Sequence, residues 1–269
     1  MTGPQKIPGA DLSAFYGTGR YSGSSMEINC GVAHTTEGRT LPGYSGGSMA
    51  PTVTGLPLIG QKKIKWYQHY DVDESARALA NKLGGVQTNQ ANAFQIELVG
   101  TCDAKNSSTW SGKRAGTDYI YWPDAPDWAL DQVSWLVWWL NVNHKVPLTC
   151  VSNWLAYGKD TRRPGVVPAS YGAHPYRMTG AQWNSFTGWC GHQHVPENDH
   201  GDPGGMNFPR VIQLAKARLA PAKKYHTVVD GDTLWKIATK YKTTVEKLRA
   251  LNPGIKGDLI NPGDKVRYV

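Results

Sequence analysis

Residues 27–37, EINCGVAHTTE, decide how the fold is read. Ile28, Cys30 and Val32 alternate on one side of Glu27–Ala33, the two-residue period of a half-buried strand. His34 ends that strand at the sheet's edge, where loops commonly present reacting groups. AFQIELVG, residues 93–100, predicts a second strand with Phe94, Ile96 and Leu98 on one face and Gln95, Glu97 and Val99 on the other. By alternation alone, Glu97 is a solvated, outward carboxylate. Between these strands Asp73–Leu83 predicts a helix: Val72, Ala76, Leu79, Ala80 and Leu83 follow the i, i+3/i+4 period, and Gly84-Gly85 supplies a stop. Residues 127–143 predict another helix, apolar on all sides. Its Trp128, Trp135, Trp138 and Trp139 therefore read as core and not as a sugar-stacking surface. A last helix, Phe208–Leu219, is expected on the sheet's other side. The order predicts an α/β fold, a central mixed β-sheet flanked by helices.

A chain of 269 residues suits one medium domain and a small module. Its 29 Lys and Arg against 21 Asp and Glu give a net charge of +8, which favours a polyanionic partner (nucleic acid, an anionic membrane or an anionic cell wall) without choosing among them. No nucleic-acid-binding pattern accompanies the charge. WLVWWL is apolar, but Asp127, Asp131, Asn141 and Asn143 flank it too closely for a membrane span of about 20 residues. The first 17 residues lack a charged-then-apolar leader, which predicts synthesis as a soluble cytoplasmic protein. Cys30, Cys102, Cys150 and Cys190 form no CxxC pair and read as reduced, with Cys30 and Cys190 packed near the site described next.

GHQHVPENDHGDPGG, residues 191–205, crowds His192, His194, His200 and Asp202 into a Pro- and Gly-rich loop where side chains can converge on one point. His192 and Asp202 stand ten positions apart (202 − 192 = 10), and His34 would join them from elsewhere. Two neutral imidazoles and a carboxylate leave bound Zn²⁺ with net positive charge and an open fourth position, the arrangement of a hydrolytic site. His192 and His194, at i and i+2, could also chelate together on an extended strand. Residue types alone therefore predict a metal site in this loop without choosing its ligands.

HTTEGRTLPGYSGGSMAP (34–51), QIELVG (95–100) and GHQHVPENDHGDPG (191–204), in this order, resemble the zinc-dependent N-acetylmuramoyl-L-alanine amidases of the amidase-2, peptidoglycan-recognition-protein-like family, most closely those of actinobacteriophage endolysins. The resemblance covers roughly residues 25–218. It implies His34, His192 and Asp202 as zinc ligands and Glu97 as the general base. His200 stands two residues before the last ligand, where family members carry Lys or Thr, and is expected to stabilise an oxyanion in a pH-sensitive way. His194, where the family commonly has Asp, reads as structural or as supporting a ligand. Thr52 also departs from the family pattern. Glu37 is expected to orient His34 or cap the following turn.

After LAPAKK (219–224), YHTVVDGDTLWKIATKYKTTVEKLRALNPG…LINPGDKVRYV resembles a LysM module of β-α-α-β form. Asp232 is expected to cap a helix with core residues Leu234, Ile237, Ala238 and Tyr241, and Thr243-x-x-Glu246 to open a second with Val245, Leu248 and Leu251 inward. The resemblance implies a groove for N-acetylglucosamine-containing glycans formed by Gly231, Asp232, Thr233, Leu234, Asn252, Pro253, Gly254 and Ile255. The expected layout is an N-terminal extension (1–20), a zinc amidase domain (21–218), a linker (219–224) and a LysM domain (225–269). Together these predict a monomeric phage endolysin that cleaves the muramoyl–L-alanine amide of peptidoglycan, reaching the wall through a holin. A non-cutting peptidoglycan binder and a muramidase pairing Glu37 with Glu97 are the alternatives.

Overall fold

Strand β1 (Cys30–Thr35) begins where it finds partners, since Cys30 aligns with both Ala93 and Gly188. The strand expected at 27–33 is thus shifted, and His34 lies inside it. The structure is a computed structural model that describes residues 2–17, 25–157, 176–219 and 223–269. Part of the expected extension (residues 1 and 18–20) and of the expected linker (220–222) lies outside the described residues. The chain divides into two compact units, Met1–Ala217 and Arg218–Val269.

In the first unit β2 (Val53–Leu58), β3 (Lys63–Gln68), β4 (Ala93–Leu98) and β7 (Gly188–Gly191) join β1 in one sheet of order β3-β2-β4-β1-β7. Only β2–β3 is antiparallel; the other pairs are parallel, so the sheet is mixed. A short hairpin, β5 (Thr109–Trp110) and β6 (Lys113–Arg114), stands apart. β1 is flanked on both sides and buried throughout, which corrects its expected half-buried pattern. Alternation sorts the two faces. Ala33, Phe94, Ile96, Leu98 and Trp189 join one core cluster, whereas Cys30, Val32, Ala93 and Cys190 join another.

Helix α1 (Asp127–His144) lays Ala129, Leu130, Val133, Leu136, Val137 and Leu140 into the first cluster, with Trp128, Trp135 and Trp138 half-buried against it. Helix α3 (Phe208–Leu219) sends Phe208, Val211, Ile212 and Ala215 into the same cluster. It therefore shares α1's face, not the opposite one as expected. The opposite face is covered by the short helix α2 (Gly180–Asn184) through Trp183, and by Leu79.

The expected helix at 73–83 does not form. Its backbone donors are taken by side chains from distant segments: Ala78 N donates to Gln95 Oε1, Leu79 N to Asn89 Oδ1 and Ala80 N to Asn198 Oδ1. Those bonds replace the i→i−4 ladder, while Val72, Ala76 and Leu79 are still buried. The apolar spacing held for the burial of Val72, Ala76 and Leu79 but not for Ala80 and Leu83, which are exposed, and it was wrong about the backbone.

Residues 5–16 run beside β3, the sheet's outer strand. Asp11 N donates to Trp66 O, Gln68 N to Asp11 O and Tyr16 N to His69 O, and the buried Ile7 donates to Gln68 Oε1. The segment thus covers a sheet edge that would otherwise expose unpaired backbone.

In the second unit β8 (Tyr225–Thr227) and β9 (Lys265–Arg267) pair antiparallel, and α4 (Leu234–Lys240) and α5 (Val245–Leu251) lie between them in sequence. Val228, Leu234, Ile237, Ala238, Leu248 and Val266 form the core. Both caps differ by one residue from expectation. Thr233, not Asp232, accepts Lys236 N, and Thr244, not Thr243, accepts Lys247 N. Asp232 is otherwise occupied, accepting from Val229 N and bonding His226 Nε2. Among the described residues no helix is long and apolar enough to cross a membrane.

Candidate metal centre

Parallel strands put their C-terminal ends on one side of a sheet, and open α/β sheets bind ligands there. His34 is the fifth residue of β1 and sits in register with Glu97, the fifth of β4. His192 follows the end of β7 directly. Asp202 returns to the same point because the loop after β7 folds back on itself: Gln193 N donates to Asp202 O and Gln193 Nε2 to Gly204 O. Two glycines make this close return possible. A Cβ on Gly191 would meet Pro203 Cδ at 2.6 Å, and Gly204 holds φ +62°. Arg177 ties the loop from outside, donating to the carbonyls of His192, Val195 and His200.

His34, His192 and Asp202 are brought together, all buried, with ligand atoms within 4.8 Å of one another. His34 Nδ1 lies 3.0 Å from His192 Nδ1 and 3.6 Å from Asp202 Oδ2, and His192 Nδ1 lies 3.3 Å from Asp202 Oδ1. Donors about 2.0–2.1 Å from one tetrahedral ion stand about 3.4 Å apart, so the set fits a single small cation. The hydrogen-bond pattern agrees. Asn198 Oδ1 accepts Ala80 N, which fixes that amide's orientation, so His192 Nε2–H donates to the same oxygen at 2.9 Å. His192 is thus held at Nε2 by an outer partner and turns Nδ1 towards His34 and Asp202, as an imidazole ligand does. Burial, then the nearby His192, holds His34 well below the ordinary histidine range, in the neutral form a metal requires. Asp202 is held low even though burial opposes its ionisation, because His192, His34 and His200 surround it. Thr35 N also donates to its Oδ2.

Glu97 is 9% exposed, not solvated, and burial followed by the charges of Asp202 and Glu37 raises its carboxyl well above the usual range. A carboxyl tuned upward beside a cation site suits proton transfer near neutrality. Glu37 accepts from Thr35 Oγ1, Thr101 Oγ1 and Cys102 N, so its two oxygens secure the turn after β1. His200 reaches outward with its side chain 73% exposed, stacks on His192 at 4.8 Å between centroids and places Nδ1 3.8 Å from Asp202 Oδ1. His194 faces away from the cluster: Nδ1 accepts Gly191 N and Nε2 donates to Asn153 O. Cys30 and Cys190 are free, buried thiols, Cys30 pushed up to about 12 and Cys190 well above its ordinary value by burial. Neither belongs to the ligand cluster. His34, Glu97, Tyr44, His192, His200 and Asp202 all line one cleft of about 450 Å³.

In the second unit the expected glycan residues have separate duties. Leu234 is 2% exposed in the core, which leaves only its backbone for a ligand. Asn252 donates to Leu248 O and Arg267 O and accepts Arg267 N, stitching α5 to β9. Gly254 and Ile255 line a shallow cleft with Lys256, Leu259, Asn261 and Asp264. Residues 226–267 match the LysM domain family.

That stretch of the chain is a LysM domain. LysM domains bind peptidoglycan and N-acetylglucosamine-containing glycans, so a wall ligand is assigned to this unit. The chain is also similar to a chlorophenol reductase of Desulfitobacterium hafniense, 50% identical over 46 residues, which is 17% of this chain and 14% of that protein. It is 49% identical over 45 residues to SpoIVD-associated factor A of Bacillus subtilis, covering 16% of this chain and 12% of that one. The chain thus spans about one-seventh or less of either relative, and the likeness carries a shared segment only.

Proposed function

We propose that the first unit is a zinc-dependent N-acetylmuramoyl-L-alanine amidase and that the LysM domain holds it on the wall, in a phage endolysin that lyses its host from within. The observation that carries this reading is the convergence of two imidazoles, a carboxylate and the buried Glu97 at one end of the sheet. His34, His192 and Asp202 would hold zinc, which when bound supplies Lewis acidity towards water and the scissile carbonyl. Glu97 takes the proton of the attacking water. The water oxygen joins the lactyl carbonyl carbon, the carbon–nitrogen bond breaks, and Glu97 returns the proton to the nitrogen of L-alanine. The positive charge of a cation in the triad would offset the charge of Asp202 and so lower the Glu97 carboxyl from its raised value. His200, at the mouth, can donate to the oxygen on which charge develops. Binding through LysM raises the local concentration of bonds to cut.

A muramidase pairing Glu37 with Glu97 is disfavoured, because Glu37 spends its oxygens on three protein donors. Mass analysis of purified peptidoglycan digested by the full chain decides the reaction. The amidase reading expects new L-alanine amino termini that vanish with a chelator and return with zinc. New reducing sugar ends, or cleavage that ignores the chelator, would refute it; a wall bound but uncut would leave a binder.

A further inference from the structure

Tyr44 and Ser45 hold φ values of +46° and +50°, left-handed conformations that side chains rarely adopt and that cluster at functional sites. This turn is braced from behind: Tyr70 Oη donates to Gly47 O, Tyr16 Oη to Gly43 O, and the Tyr16 ring fills the space where a Cβ on Gly47 would sit. The bracing aims the Tyr44 side chain into the cleft that holds the triad and Glu97.

Its hydroxyl belongs to a chain whose direction can be worked out from the far end. His69 Nδ1 lies 2.9 Å from Ala14 O; a carbonyl only accepts, so Nδ1 carries the hydrogen. Burial keeps His69 below the ordinary histidine range, hence neutral, and Nε2 is bare. Thr54 Oγ1, 2.8 Å from Nε2, must donate to it. Thr54 has one hydrogen, so it accepts at 2.7 Å from Tyr44, whose own hydrogen is thereby directed away from the cleft. Towards a ligand the Tyr44 oxygen offers lone pairs alone.

We infer that Tyr44 is a fixed hydrogen-bond acceptor in this cleft, aligned by the positioning residues Thr54 and His69, and that it takes the N–H of the scissile amide. The assignment of that N–H rests on the amidase reading. Of the scissile amide's two polar groups the carbonyl oxygen is drawn to the cation, leaving N–H as its donor. Fixing the N–H fixes which face of the nitrogen receives the proton from Glu97. The N-terminal segment is then part of the working site, since Ala14 O sets the whole chain's direction.

Two measurements on the zinc-loaded full chain test this. Long-range ¹H–¹⁵N spectra should show His69 protonated at Nδ1 and bare at Nε2; the reverse tautomer overturns the acceptor. Rates are then compared for an N-acetylmuramoyl-L-alanine peptide and its N-methyl-L-alanine counterpart. The preference for N–H over N-methyl should fall about tenfold in Tyr44→Phe and Thr54→Val and return in Thr54→Ser, at equal zinc content. An unchanged preference in all three variants overturns the proposal. Should the parent protein cut neither substrate, the amidase reading and its scissile N–H both fall, while the His69 tautomer still judges the acceptor.

Discussion

The candidate metal centre brings His34, His192 and Asp202 together beside Glu97 from distant positions, whereas the LysM domain is a contiguous run, 226–267, that finds its whole core within itself. The first site is deep, and burial moves the ionisation of Glu97 and His34 far from ordinary values. The second is shallow, and the hydrogen bond from His226 holds the Asp232 carboxyl low. On the proposed function, chemistry that needs tuned acids and bases falls to the former and wall binding to the latter. Variants that silence one region and spare the other measure how separate the two are.

Asp202→Ala is expected to have the largest effect. Loss of one of three ligands should abolish zinc binding and reduce amide cleavage about a thousandfold or more, with glycan binding unchanged in a pull-down on purified wall. Glu97→Gln should retain zinc and lose about 10²–10⁴-fold in turnover. The same variant tests the burial of the carboxyl. A folded carboxyl raised above its ordinary value near 4.5 favours the folded state at low pH, and that contribution is lost as pH rises from 4.5 through the raised value. In chelator, Glu97→Gln should therefore melt higher than the parent at pH 7 and lose the parent's downward slope. Asn198→Ala removes the acceptor of His192 Nε2–H and should weaken zinc affinity about 10–100-fold, read by competition with a chromogenic chelator.

These effects sort what the sequence could disclose from what it could not. His34, Glu97, His192 and Asp202 were legible through motifs whose spacing the resemblance supplied, and strand β4 through its alternation. Glu97 illustrates a limit: alternation placed it correctly on the face opposite Phe94 and Ile96, but solvent on that face was an assumption. Asn198 lay unread inside PENDH, although its distance from His192 was open to view. Arg177 and Tyr44 carried no signal, because each works through a backbone path that only the folded chain reveals. The segment 73–83 shows a helical period, yet of its apolar residues only Ala76 and Leu79 are buried and Leu83 is exposed, while its donors are claimed by Gln95, Asn89 and Asn198 from other segments.

Smaller effects mark the borders of the two regions. His200→Ala should cost about tenfold or less in turnover, since its ring is mostly exposed and one hydrogen bond is the most it can supply. Leu248→Ala should cost the LysM domain roughly 2–5 kcal/mol, enough to unfold a small core, and abolish wall retention. Cleavage of a small soluble muramoyl peptide should not change.

The identity of the ion's ligands is the most direct point of test. X-ray absorption on the purified full chain should report one zinc per molecule, with nitrogen and oxygen neighbours at about 2.0–2.1 Å and no sulfur near 2.3 Å, and this signal should be lost in His34→Ala. Sulfur in the first coordination sphere, or zinc retained unchanged by His34→Ala, would contradict it.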